Sequence, residues 1–165
     1  FVITLEAGDS RDNRVEVEKV SSEVEKISST EASQIPEPAA NLRVLYVEDL
    51  PTNMALVREV LRKVSDVALL EATYARAGID LAVQELPDVI LMDIDLPDMT
   101  GFQALQALRK DSRTAHIPVI AVSGNATKGE IERGFAAGFA DYITKPFAIL
   151  EFAATVERVG YQNRT

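Results

Sequence analysis

The chain's 165 residues are 47% hydrophobic and 26% charged, an ordinary globular composition that suffices for one domain with a real core plus an appendage. With 17 basic and 26 acidic residues the net charge is −9 and no Lys/Arg cluster stands out, so nucleic-acid binding is not expected; an anionic partner would have to be held locally, by a metal or a single lysine. Cysteine is absent, which excludes disulfides and thiolate metal sites, and no apolar run nears the roughly 20 residues of a membrane span, so a soluble, cytoplasmic segment without membrane contact is expected.

In chain order, the sequence opens on Phe1 with no leader, as a piece of a longer protein would. Residues 1–41 form an N-terminal segment with its own texture. FVITLEA reads as one strand, and SRDNRVEVEKVSSEVEKISSTEASQIPEPAAN, rich in Ser, Glu and Pro, reads as a solvated linker. Within it Val17, Val20, Val24 and Ile27 follow one helical stripe, so a short helix packed on a partner or a twin chain is the competing reading.

From residue 42 the pattern becomes regular. LRVLYV (42–47), VALLEA (67–72), DVILMD (88–93), PVIAVS (118–123) and ADYITK (140–145) read as strands, and 52–64, 75–86, 101–110, 127–137 and 147–159 as helices. Met54, Val57, Leu61 and Val64 recur as a face packed on a sheet would, and the runs at 89–92 and 119–122 are apolar without alternation, as strands buried on both faces are. Strict alternation of strand and helix predicts a doubly wound α/β domain over 42–160, a five-stranded parallel sheet of order 2-1-3-4-5 in a flavodoxin-like three-layer sandwich, with 161–165 left as a tail.

In that topology ligands bind outside the carboxyl ends of the strands. Glu48 and Asp49 follow the first strand, Asp93 ends the third, Ser123 the fourth and Lys145 the fifth. Three clustered carboxylates repel one another unless a cation intervenes, and hard oxygen donors with neither His nor Cys favour magnesium over zinc. Lys145 and Ser123 add a charge and a donor of the kind phosphoryl transfer needs, and a carboxylate can serve as nucleophile, forming an acyl phosphate.

The segments VED, MDIDLPDMTG, AVSG and DYITKPF, in this order and spacing, resemble the receiver domain of two-component response regulators, the CheY-like fold, over about residues 42–159. The resemblance implies that Asp93 accepts a phosphoryl group from the phosphohistidine of a histidine kinase. It implies Mg2+ bound by Asp49 and Asp93 with the backbone carbonyl of Asp95, Glu48 acting mainly through water. Ser123 and Lys145 would contact the phosphoryl group, Tyr142 would follow Ser123 inward as the aromatic switch, and Lys145-Pro146 would be cis. Asp95 and Asn125 resemble positions that tune hydrolysis of the aspartyl phosphate. Glu48 for aspartate, Ser123 for threonine and Gly124 for alanine depart from the commoner pattern. Phosphorylation would shift a population, changing the surface of the fourth helix, fifth strand and fifth helix.

Asp98 reads as a structural residue of the turn leading to Gly101, and His116 as a loop residue on the side away from the acids. The rival enzyme is a haloacid-dehalogenase-like phosphatase, whose first motif Asp93-Ile94-Asp95 resembles; there the metal-binding acids lie downstream of the motif, whereas Glu48 and Asp49 lie upstream. A receiver-like binding module that is never phosphorylated is a third class. FVITLEA resembles the closing strand of a kinase ATP-binding domain, which favours the C-terminal receiver of a hybrid sensor histidine kinase over a single-domain response regulator. No DNA-binding output domain is expected after the last helix. In that hybrid reading a histidine phosphotransfer protein is an expected onward acceptor of the phosphoryl group.

Overall fold

The computed structural model describes residues 41–64, 66–125 and 127–164. The expected strand at 1–7, the linker and the stripe from Val17 to Ile27 lie outside them. Five parallel strands, β1 (Leu42–Val47), β2 (Val67–Ala72), β3 (Val89–Asp93), β4 (Val119–Ser123) and β5 (Asp141–Thr144), form one sheet of order β2-β1-β3-β4-β5. Five helices connect and follow them: α1 (Pro51–Val64), α2 (Ala75–Glu85), α3 (Gly101–Lys110), α4 (Lys128–Ala137) and α5 (Ile149–Gln162). The doubly wound three-layer sandwich expected from the sequence is therefore the observed fold.

Every residue of β3 and β4 is buried, which is why neither alternates in sequence, whereas the edge strand β2 is only partly covered. In β1 the period of two divides the core. Leu42, Val44 and Tyr46 pack with Met54, Val57 and Leu61 of α1 and with Phe152, Val156 and Val159 of α5; Leu45 and Val47 face Ala82 of α2 and Leu105 and Leu108 of α3. Helix α4 buries only Gly134, under the ring of Tyr142, and is the most lightly docked of the five described helices by that measure.

The helix ends follow local chemistry. Thr100 with Gln103 and Thr127 with Glu130 form reciprocal capping boxes at α3 and α4. Helix α5 begins at Ile149 rather than 147: the Lys145-Pro146 bond is cis, Ala148 caps, and Phe147 stacks on Phe152 with ring centroids 4.4 Å apart, a hydrophobic staple. It also runs past 159, so Tyr161 and Gln162 belong to its last turn rather than to a tail. Gly160 looks like a stop signal but is a packing residue, since a Cβ there would meet Leu42 Cδ1 at 2.8 Å. The expected tail is tied down further: Arg164 holds both carboxylate oxygens of Asp88, at 2.8 and 2.7 Å, and the carbonyl of Asn41 at 2.8 Å, while Asn163 donates to the carbonyl of Asp88 at 3.2 Å.

Register then places the chemistry. Val47 pairs with Met92, Asp93 with Val122 and Ser123 with Thr144, so the carboxyl ends of β1, β3, β4 and β5 finish level with one another. Whatever follows each of them arrives at one edge.

Candidate functional site

Glu48, the residue after β1, is fully buried. Its Oε1 accepts the amide of Leu50 at 3.1 Å, and its Oε2 accepts both the Tyr46 hydroxyl at 2.7 Å and the Lys145 ammonium at 2.6 Å. Burial alone would push the Glu48 carboxyl up, but Lys145, Tyr46 and the Leu50 amide outweigh it and hold the group below the usual carboxylate range. Tyr46 shows the counterpart: burial first, then Glu48, drives its hydroxyl far above the ordinary phenol value, so it remains a donor. Tyr46 is a site residue the sequence reading passed over. Its signal was there, because two residues apart on a strand means one face.

Asp93 closes β3 and is almost fully buried. Its Oδ1 accepts the amide of Asp95 at 2.7 Å and its Oδ2 accepts Lys145 Nζ at 2.5 Å. Here burial prevails and the carboxyl is raised, with Glu48 adding in the same direction against Lys145. Lys145 thus bridges two buried carboxylates from a position fixed by its own backbone, whose amide donates to Ser123's carbonyl at 2.8 Å. Burial draws the ammonium down, but Asp93 and Glu48 raise it above its ordinary value, so it stays charged.

Glu48, Asp49 and Asp93 each place a carboxylate oxygen within 4.8 Å of the others'. Opposite ligands of an octahedral magnesium ion stand roughly 4 Å apart, so the three oxygens are near coordination spacing. Three carboxylates against the one ammonium leave two negative charges, the complement of a divalent cation, and the donors are hard oxygens without imidazole or thiolate. The residues present fit magnesium.

Ser123 is buried at the same edge but is turned toward its own loop. Its Oγ donates to the carbonyl of Asn125 and accepts the Asn125 amide, both at 3.1 Å. Tyr142 reaches the same carbonyl from β5, its hydroxyl donating at 3.2 Å. The Asn125 side chain donates to Glu130 at 2.9 Å, tying the loop to α4. Asp95 is exposed beside this loop.

The structure therefore gathers Glu48, Asp49, Asp93 and Lys145 into one cluster, with Ser123, Asn125 and Tyr142 alongside it. His116 stays exposed at the opposite edge, near Pro118 and Asn163. Asp98 is structural as expected, but by an unexpected partner: its two carboxylate oxygens accept the amides of Ala75 and Arg76, both at 2.9 Å, capping α2 where Tyr74 offers no side-chain cap. No helix among the described residues is long and apolar enough to cross a membrane.

Comparison with known proteins agrees with this geometry. The family model for the response regulator receiver domain matches residues 44–157. The polar-differentiation response regulator DivK of Brucella anthropi is 38% identical over 114 residues, covering 69% of this chain and 92% of the relative, and DivK of Brucella abortus matches to the same extent. Among solved structures, the receiver domain of a sensor histidine kinase from Pseudomonas aeruginosa PAO1, with a magnesium ion coordinated in its active-site cleft, is 30% identical with a TM-score of 0.67, covering 74% of this chain and 99% of that one. The chemotaxis protein CheY4 of Vibrio cholerae is 27% identical with a TM-score of 0.67, covering 73% and 99%.

Proposed function

The chain belongs to the response regulator receiver domain family of two-component signalling, and from that premise we propose that Asp93 takes a phosphoryl group from the phosphohistidine of a histidine kinase. The observation that carries this assignment is Lys145 Nζ, held at 2.5 Å from Asp93 Oδ2 and 2.6 Å from Glu48 Oε2. It supports the reading because Asp93 ends the central strand with a cation already beside it that can follow the charge to a phosphoryl oxygen.

In the reaction an Asp93 carboxylate oxygen forms a bond to phosphorus as the phosphorus–nitrogen bond breaks. The donor ring carries a proton on its other nitrogen, so the electron pair that departs with it leaves a neutral imidazole and an acyl phosphate on Asp93. Glu48 and Asp49, with Asp93 and the carbonyl of Asp95, would hold magnesium beside it, and the ion would supply positive charge to offset that gathered at the phosphoryl oxygens. Lys145 moves from the carboxylates to a phosphoryl oxygen, and Ser123 turns from the Asn125 carbonyl to donate to another. Tyr142, bonded to that same carbonyl, moves with the loop, and the face built from α4, β5 and α5 changes. Asp95 and Asn125 flank the acyl phosphate and set its hydrolysis.

The receiver works in the cytoplasm, and a histidine phosphotransfer protein is its onward acceptor. The same site serves the C-terminal receiver of a hybrid histidine kinase and a single-domain response regulator alike. A kinase core encoded directly upstream of Phe1 selects the first; its absence selects the second.

Incubation with acetyl phosphate, with and without magnesium, followed by intact mass, tests the assignment. One phosphoryl group is added, only with magnesium, and not to Asp93→Asn. Sustained turnover of a phosphate ester with Asp95 essential would instead support the haloacid-dehalogenase-like reading.

A further inference from the structure

We propose that the Tyr46 hydroxyl is a positioning group for the metal site, fixing the plane of the Glu48 carboxylate so that Glu48 Oε1 faces the cation. The inference rests on the magnesium-dependent receiver reading above. A carboxylate oxygen offers about two acceptor positions. On Glu48 Oε2 both are taken, by Tyr46 at 2.7 Å and Lys145 at 2.6 Å; on Oε1 one is taken by the Leu50 amide, leaving one for a cation or its water.

Two features make Tyr46 the fixed member of this set. It is fully buried in β1 among α1 and α5, packed in the core with Val57 and Phe152, whereas Lys145 is partly exposed at the end of a flexible stem. Lys145 also has other work: when it follows the phosphoryl group, Oε2 loses a charged donor in a buried setting, and Tyr46 is the remaining group that keeps it satisfied. Glutamate carries one more rotatable bond than aspartate, so its carboxylate needs such a hold; Tyr46 supplies it from two residues back on the same strand face.

The test is a double-mutant cycle read by calorimetric titration of the full chain with Mg2+ alone. Tyr46→Phe keeps the ring and removes the hydroxyl. It weakens magnesium binding roughly tenfold, the scale on which partners of metal ligands act. In acetyl phosphate labelling the shift falls on the magnesium concentration needed rather than on the plateau rate. In a Glu48→Asp background the carboxylate is retracted by about 1.5 Å, one carbon–carbon bond, beyond reach of the hydroxyl, and Tyr46→Phe then changes affinity less than twofold. Equal losses in both backgrounds, no loss in either, or a wild type that binds no magnesium overturns the proposal. A wild type that binds magnesium but takes no phosphoryl group sinks the phosphoacceptor reading alone, since the cycle is read without phosphorylation.

Discussion

Ser123 and Tyr142 donate hydrogen bonds to one and the same oxygen, the main-chain carbonyl of Asn125, at 3.1 and 3.2 Å. One residue is buried at the acid cluster and the other reaches in from half-exposed β5, so a peptide group of the β4–α4 loop physically joins the site to the face beyond it.

That shared acceptor makes Tyr142→Phe an uncoupling variant. With the hydroxyl gone the loop loses one of two donors, a cost of about 0.5–1.5 kcal/mol at most. Phosphorylation of Asp93 should still occur, but the accompanying change in amide hydrogen exchange across α4 should shrink. An undiminished response in α4 would show that the tyrosine does not carry it.

Magnesium should stabilise the receiver through the same carboxylates that bind it. At a hundredfold excess over the dissociation constant, the gain in unfolding free energy is about 2.7 kcal/mol. Asp49→Asn removes a charged oxygen ligand and should cut most of that gain, while under chelation the variant should be at least as stable as the wild type, because one of the mutually repelling carboxylates is gone. Denaturant midpoints with and without the ion provide the measurement.

Gly101 is required by a close approach, not by backbone angle. A Cβ there would stand 2.6 Å from the carbonyl oxygen of Asp93 and 3.0 Å from Ile94 Cα, and both are main chain that cannot swing aside. Gly101→Ala should therefore lower stability by about 1–3 kcal/mol and slow labelling of Asp93 by shifting its backbone. Unaltered urea midpoints would contradict the crowding argument.

The clasp at Asp88 should appear in the acid limb of stability. Burial pushes its carboxyl up, but the Arg164 fork and the Arg43 amide overcome this and hold it below its ordinary 3.8. A depressed native value means the contribution is complete above pH 3.8, where the unfolded carboxyl is ionised, and is lost as pH falls through the native value. Arg164→Ala should cost about 1 kcal/mol at neutral pH and flatten the fall in stability below about pH 4, as followed by denaturant midpoints across that range.

Much of this molecule was legible in its sequence for a simple reason. A strand buried on both faces is written as an uninterrupted apolar run, so VILMD and VIAVS announce themselves, and a polar residue at the end of each run can only sit at the sheet's edge. That logic located Asp93 and Ser123 and separated Asp93 from Asp98; Lys145 follows the half-buried edge strand DYIT and was placed by the alternation of strand and helix instead. It was blind to partners set by distant segments: Asp98 caps a helix 23 residues back in the chain, a relation no local pattern encodes. It also ended the last helix at 159, three residues short, because Gly160, which admits Leu42 inside the helix, cannot be told in one dimension from a glycine that ends one.

The Asn41–Arg164 contact has one more implication. It brings the point where the chain enters the domain against the point where it leaves, at the edge opposite the acids. A unit whose two ends meet behind its working surface can be strung into another polypeptide as a bead on a thread. Joining its ends and opening the chain elsewhere, in a circular permutation, should preserve the site for the same reason.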